Sequence, residues 1–239
     1  MLDRIVSLPF EAAARLRRGR AVHRRGRTYA GTLRVTSDLG PLEAERTYDV
    51  VARLSKGAST PGGVPDILGI ALRVPTGDGP VDLLFASAGR PPLLRHLLVL
   101  RSSYTQGTYS TLVPYEAGGR TLVLGLLPTT RRNVGTEDEE LNAEVAVAPL
   151  TFALAAAPLT GTWQTRGVLE VRQPPVQELP DAFDPQLNSV PGLRPAGPFQ
   201  TVRRWAYAGS RRGRGEPAPK KAGSPAAGDR TGERVPSRR

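Results

Sequence analysis

Short extended stretches follow one another with turn signals between them and no helical segment. From Tyr29 to Val35, the residues Tyr29, Gly31, Leu33 and Val35 alternate with Ala30, Thr32 and Arg34. A period of two places one face of a strand in a core. Turn residues from Ser37 to Pro41 close this stretch, and Tyr48 to Ser55 and Ile70 to Val74 read as two more strands, separated by GASTPGGVPD. The TGDG at Thr76 to Gly79 predicts a hairpin joining Ile70–Val74 to a strand at Val81 to Ala86.

The second half continues the pattern. Tyr109 to Tyr115, Thr121 to Leu127, Glu144 to Phe152 and Thr162 to Val171 are expected to be extended, with breaks at Pro114, Gly118, Gly119, Pro128 and Gly161. Leu93 to Leu100, LLRHLLVL, is apolar apart from Arg95 and His96 and reads as helix or strand; His96 lies in no motif and is assigned a structural role. The charged run TTRRNVGTEDEE, Thr129 to Glu140, is expected to be a solvated loop, and seven prolines between Pro174 and Pro198 predict a segment wrapped extended over the surface. Ser7 as N-cap and Pro9 open one short helix that ends near Gly19. With 26 Gly and 23 Pro in 239 residues, short strands and many turns outweigh long helices. The expected fold class is mainly β (α+β), an antiparallel barrel or sandwich with few short helices.

Composition removes several kinds of chemistry. Without cysteine there is no disulfide, thiolate metal site or cysteine nucleophile, and two histidines make a protein-built zinc site improbable. Metal chemistry would have to arrive inside a cofactor. No apolar run is long enough to span a bilayer, and the apolar run of MLDRIVSLPFEAAARLRRGR is too short and broken for a secretory signal, so a cytoplasmic location is expected. Between Arg211 and Arg239 stand nine Lys and Arg against three Asp and Glu, about half of the net charge of +11. This Pro-, Gly-, Ala- and Ser-rich stretch is expected to be a disordered tail with only non-specific attraction for phosphate.

His23 lies in RAVHRRG, Arg20 to Gly26, which runs into the first strand and is followed by VVARLS at Val50 to Ser55 and DILGIALRVPTGDGPVDLL at Asp66 to Leu84. Near the end come AFDPQLNSVPGLRP and then Arg203, Arg204, Trp205, Ala206 and Tyr207. In order and spacing these segments resemble the haem catalase family, and the chain's length is similar to the short catalase-related proteins. The resemblance implies a catalase-type antiparallel barrel holding haem b. It makes His23 the distal acid/base and Ser55 the hydroxyl that orients it. Arg20, Arg53 and Arg214 would pair with haem propionates, as guanidinium pairs with carboxylate in a fork geometry. Val22 would lie against the same cofactor. Tyr207 would be the axial iron ligand, held as phenolate by Arg203 one helical turn before it. The implied substrate is hydrogen peroxide or an organic hydroperoxide, the implied assembly a homo-oligomer, and the implied division a barrel domain over 1–214 with a basic tail over 215–239.

The sequence also departs from the family. The distal asparagine would fall four residues after Asp82, where Ala86 stands. Ser87 is the neighbouring hydroxyl that would have to take over through water. Arg211 replaces a usual histidine and Leu68 a usual arginine. Weak disproportionation and a bias toward peroxidase chemistry are expected. Two rival readings stay open: a haem-free barrel serving as a binding module, and a basic protein associated with nucleic acid, which lacks interleaved aromatics and a recognition helix.

Overall fold

Strand pairing in the computed structural model, which describes residues 26–172 and 182–196, follows the alternation of the sequence. Strands β1 (Gly26–Val35), β2 (Thr47–Lys56), β3 (Leu68–Thr76) and β4 (Gly79–Ala88) pair in order as an antiparallel meander. β5 (Thr108–Ser110) joins β4, and β7 (Arg120–Pro128), β8 (Leu150–Ala157) and β9 (Gln164–Val171) complete the series. β9 returns to pair with β1, with Leu33 opposite Leu169. The result is a closed antiparallel barrel of eight strands. Closure leaves no exposed barrel edge, and close approaches at Gly31 on β1 and Gly167 on β9 mark its seam. A Cβ at Gly31 would sit 2.6 Å from the Glu170 carbonyl oxygen, so only glycine lets β9 come that near.

The inward face of each strand carries the alternating apolar set. Tyr29, Leu33, Leu54, Ile70, Leu72, Leu83 and Leu154 are all within 1% of full burial. Each such aliphatic or aromatic side chain contributes about 1.5–3 kcal/mol through burial. Tyr109 and Phe152 meet edge to face across the barrel, with ring centroids 6.2 Å apart and planes at 83°. Outside the barrel, β6 (Tyr115–Ala117) pairs with β7 and with β10 (Leu193–Pro195), which tethers the proline-rich segment to the wall.

Three expectations are corrected. The stretch expected to be a strand from Glu144 is helical up to Val147: α1 (Asp138–Val147) begins inside the run read as a solvated loop, and β8 starts only at Leu150. Asp138, Glu139 and Glu140 lie in its first turn, where carboxylates favour the positive helix end. Leu141 and Val145, four residues apart, bury together, and Arg132 reaches the other end, donating to Glu144 Oε2 at 2.7 Å and to the carbonyl oxygens of Glu144 and Ala148. Next, Tyr109 to Tyr115 is not one strand. Leu112 takes φ 61° while its N–H donates to Ser110 Oγ, and the Thr111 hydroxyl donates to the Val113 carbonyl, so local hydrogen bonds replace the ladder. Finally, the segment 182–196 is not uniformly extended: Leu187 and Asn188 donate to the Asp184 carbonyl in a turn before β10. The ambiguous Leu93–Leu100 resolves as a 3-10 turn at Leu94–His96 followed by a bridge of Leu98 to Ala88. The hairpin at Thr76–Gly79 is present, with Thr76 Oγ1 donating to Gly79 O at 2.7 Å. The expected helix from Ser7, the boundary at 214 and the basic tail lie outside the described residues. Among the described residues no helix is long and apolar enough to cross a membrane.

One buried carboxylate joins two segments about a hundred residues apart. Asp82 is fully buried on the outward side of β4. It accepts Arg73 Nε and Nη2 at 2.8 and 2.7 Å, the Asp184 N–H at 2.7 Å and Asn188 Nδ2 at 2.8 Å. Arg73 also donates to Ala182 O at 2.8 Å and lies 5.3 Å from the Phe183 ring centroid. Removing this carboxylate would strand a guanidinium and two N–H donors. Asp82→Ala should cost about 3–5 kcal/mol in denaturant unfolding, and a loss below about 1 kcal/mol would contradict the joint's role.

A second carboxylate fixes the loop between β2 and β3. Asp66 accepts the N–H groups of Ala58, Thr60 and Ile67 and the Thr60 hydroxyl. Burial by itself would raise this carboxyl, but the four donors together outweigh it and hold it below the usual aspartate value of 3.8. A lowered folded-state value means a stabilisation that is complete above the unfolded value and is lost as pH falls through the folded one. Asp66→Asn should therefore destabilise the protein at pH 7 and flatten the loss of stability below about pH 4; an unchanged acid slope would contradict the assignment.

Candidate functional site

Register on the outward side of β1 to β4 sets out a shelf of small side chains. Residues directly opposite in an antiparallel pair share a face. One row runs Gly26, Ser55, Gly69, Ala86, and the next Thr28, Arg53, Ala71, Leu84. A third row ends in Arg73 opposite Asp82, the joint already described. Neighbouring strands lie about 4.8 Å apart, so each row spans about 14 Å, and the rows follow one another at about 7 Å. Two glycines, two alanines, a serine, a threonine and Leu84 make up the two rows with Arg53, so most of the surface around this guanidinium is shallow.

Of the residues the sequence singled out, Arg53 and Ser55 fall in this region, two apart on β2 and both directed outward. Arg53 is half-buried and Ser55 is 6% exposed. Ser55 Oγ donates to Gly69 O in a long 3.5 Å contact, which turns its oxygen lone pairs toward an acceptor role. Ala86 stands directly across Gly69 from Ser55, so the family's asparagine position belongs to the same row. His23, Arg20, Val22, Arg203, Tyr207 and Arg214 lie outside the described residues.

Ser87 does not take over from the missing amide. The two-residue period turns it to the inward face, where it is fully buried, accepts the Leu68 N–H at 3.0 Å and donates to Val99 O at 2.6 Å. Leu68, in place of an arginine, is likewise buried inside the barrel. His96 is structural as expected, with Nδ1 2.7 Å from Leu112 O. No group of three or more His, Cys, Asp or Glu among the described residues is arranged to hold a metal ion.

The sequence reading missed a polar cluster at the barrel end beside Gly26. There the start of α1 covers the barrel, and a cavity of about 560 Å³ opens between it and the strands. Lys56, 5% exposed, pairs with Glu137 Oε1 at 3.0 Å and donates to Gly62 O at 3.1 Å. Arg27 pairs with Asp138 at 2.9 Å, and the Tyr29 hydroxyl donates to Asn142 Oδ1 at 2.8 Å. Burial, reinforced by Asp138, holds the Tyr29 phenol well above its ordinary value, and burial with Tyr29, Asp138 and Asp66 does the same for Tyr104. Both stay protonated hydroxyls across the physiological range. The partners come from β1, β2, the Tyr104 loop and α1, and no local motif announces that meeting.

The described part of the shelf suits a flat ligand that carries carboxylates. Small side chains permit close approach of a planar face, and the half-buried Arg53 places a guanidinium at its edge, the group that pairs with carboxylates. Haem has both properties.

No family model matches the chain, and no curated protein matches it. Among solved structures it is similar to a fungal catalase, with a TM-score of 0.60 and 13% identity, over 85% of this chain and 61% of that one. It is similar also to catalase A from Saccharomyces cerevisiae, with a TM-score of 0.58 and 13% identity, over 87% of this chain and 64% of that one. The chain thus spans less than two thirds of the length of either catalase. Closed by β1 against β9 and lacking a long helix among its described residues, the barrel has the catalase-like fold.

Proposed function

We propose that this chain is a cytoplasmic haem-binding protein of the catalase-like kind, acting on hydrogen peroxide or an organic hydroperoxide. The observation that carries the reading is the single row on a catalase-type barrel that brings Ser55, Gly69 and Ala86 together, with Arg53 in the adjacent row. The rest of the proposed site comes from the sequence resemblance. Tyr207 is assigned as the iron ligand, with Arg203 holding its oxygen as phenolate. Arg20, Arg53 and Arg214 are assigned to the propionates, and Val22 to contact with the macrocycle. When bound, haem supplies the redox chemistry that divides the peroxide O–O bond. The protein's own work is proton handling. His23 takes the proton from the near peroxide oxygen and returns it to the far one, while the Ser55 oxygen accepts an imidazole N–H and fixes the ring. A homo-oligomer is part of the same proposal.

Ala86 sets the level of activity. An amide at that point would donate to the peroxide as charge develops, and losing one such donor costs about a hundredfold in rate or more. This favours weak disproportionation over the rates of a full catalase. The same observation favours the second reading, a haem-free barrel that binds another ligand on the shelf.

Two substitutions test the reading. In haem-loaded protein, His23→Ala should lower peroxide turnover by about a hundredfold to ten-thousandfold; full turnover would remove His23 from the mechanism. Ala86→Asn should raise turnover by about a hundredfold, measured as oxygen release. If oxygen release stays at the level of the unsubstituted protein, Ala86 does not occupy the position of the missing donor.

A further inference from the structure

One apolar run of the chain is turned inside out. In LLRHLLVL, none of Leu93, Leu94, Leu97, Leu98, Val99 and Leu100 is buried, with Leu93 76% and Leu100 61% exposed. The charged Arg95 among them is 1% exposed. Arg95 itself holds the run in that posture. Its guanidinium lies 4.2 Å from the Trp163 ring centroid and donates to Gly161 O at 2.7 Å and Pro158 O at 3.3 Å, clamping the β4–β5 connection to the turn between β8 and β9. The Trp163 indole N–H donates back to Arg90 O at 3.0 Å. With the cation inside the clamp, the leucines are left outside, and Leu159, also exposed, comes from the turn that Arg95 grips. Scattered exposed leucines need no explanation, but exposed leucines presented together by two pinned loops do.

Charge then selects the partner. Residues 88–101 and 157–166, which make up these two loops, include Arg90, Arg95, Arg101 and Arg166 and neither Asp nor Glu. Arg90 is exposed and Trp163 beside it is half-buried. Asp66, which the bridge to Arg101 brings to the end of the run, is buried and taken up by donors of its own loop. Past Arg166 the β1–β2 loop carries carboxylates, of which Asp38 accepts the Ala44 N–H and Glu43 pairs with Arg46. A second copy seated on this face by two-fold symmetry would set arginine against arginine. An anionic bilayer suits it better: leucines enter the acyl boundary, the tryptophan ring lies at headgroup level and the exposed guanidinium meets phosphate.

We propose that the face formed by Leu93, Leu94 and Leu159 around the Arg95 clamp docks the protein onto an anionic lipid surface. The attachment is interfacial, not a span, and does not require haem.

Because the chain has no cysteine, a single introduced cysteine can carry an environment-sensitive NBD probe at a chosen point. Leu93→Cys and Leu159→Cys are labelled in the full chain, with Val147→Cys, an exposed position at the opposite end of β8 from Leu159, as the comparison. Each is mixed with vesicles of phosphatidylcholine and phosphatidylglycerol, and with vesicles of phosphatidylcholine alone. On the anionic vesicles the probes at 93 and 159 should brighten and shift to the blue while the probe at 147 does not, and sedimentation should show weaker partition onto the neutral vesicles. Leu93→Asp combined with Leu94→Asp should lower partition about tenfold or more without lowering the melting temperature. Binding to which neither probe responds would assign the contact to another basic part of the chain and overturn the proposal. It is equally overturned if neither vesicle is bound, if neutral vesicles are bound as well as anionic ones, or if the double variant binds as wild type does. Probes that respond to protein concentration without vesicles would overturn it in favour of a second copy on this face.

Discussion

The Asp82 carboxylate is the point on which the outer architecture depends. A fully buried anion is tolerated only when donors surround it, and here they come from two sides: Arg73 on β3 and the chain around Asp184 and Asn188. The barrel would close without it, since closure rests on β1 meeting β9. The first half of the segment carrying AFDPQLNSVPGLRP would lose its seat, while β10 at its end would still pair with β6. Two stretches about a hundred residues apart in the chain are thus joined through one buried charge, beside the β10–β6 pairing.

That joint lies one row beyond Arg53 on the outward face of the same strands. Large apolar residues mostly turn inward, while the outward rows of β1 to β4 are largely small, with Val51 and Leu84 beside the charged Arg53, Arg73 and Asp82. Asp82 and Arg73 satisfy each other. Arg53 is surrounded by Thr28, Ala71 and the glycine-rich row above it. The catalase-like fold itself rests on the closed eight-strand barrel and its likeness to the two catalase structures.

The strands were legible because alternation at period two leaves a direct trace, and the hairpin at Thr76–Gly79 because its turn residues are unambiguous. The same periodicity separates Ala86 from Ser87. Strict alternation along β4 turns Ser87 inward whenever Ala86 faces out, and that alone rules Ser87 out as a substitute for the amide. α1 resembles a strand in sequence because Val145 and Val147, and again Leu150 and Phe152, stand two residues apart. Tertiary contacts decide otherwise: Leu141 and Val145 pack together, and Arg132 holds the carbonyl end. The polar cavity could not be read at all. Lys56, Tyr104 and Thr136 are far apart in sequence and belong to no motif, so only barrel closure brings them together.

The most direct measurement of the central claim is the visible spectrum of the purified chain titrated with haemin, wild type beside Tyr207→Phe. The account predicts a saturable Soret band with a high-spin ferric, tyrosinate-type spectrum for wild type and a changed spectrum in the variant. No saturable band, or identical spectra for the two proteins, would mean that the catalase-like fold is present here without haem held by Tyr207.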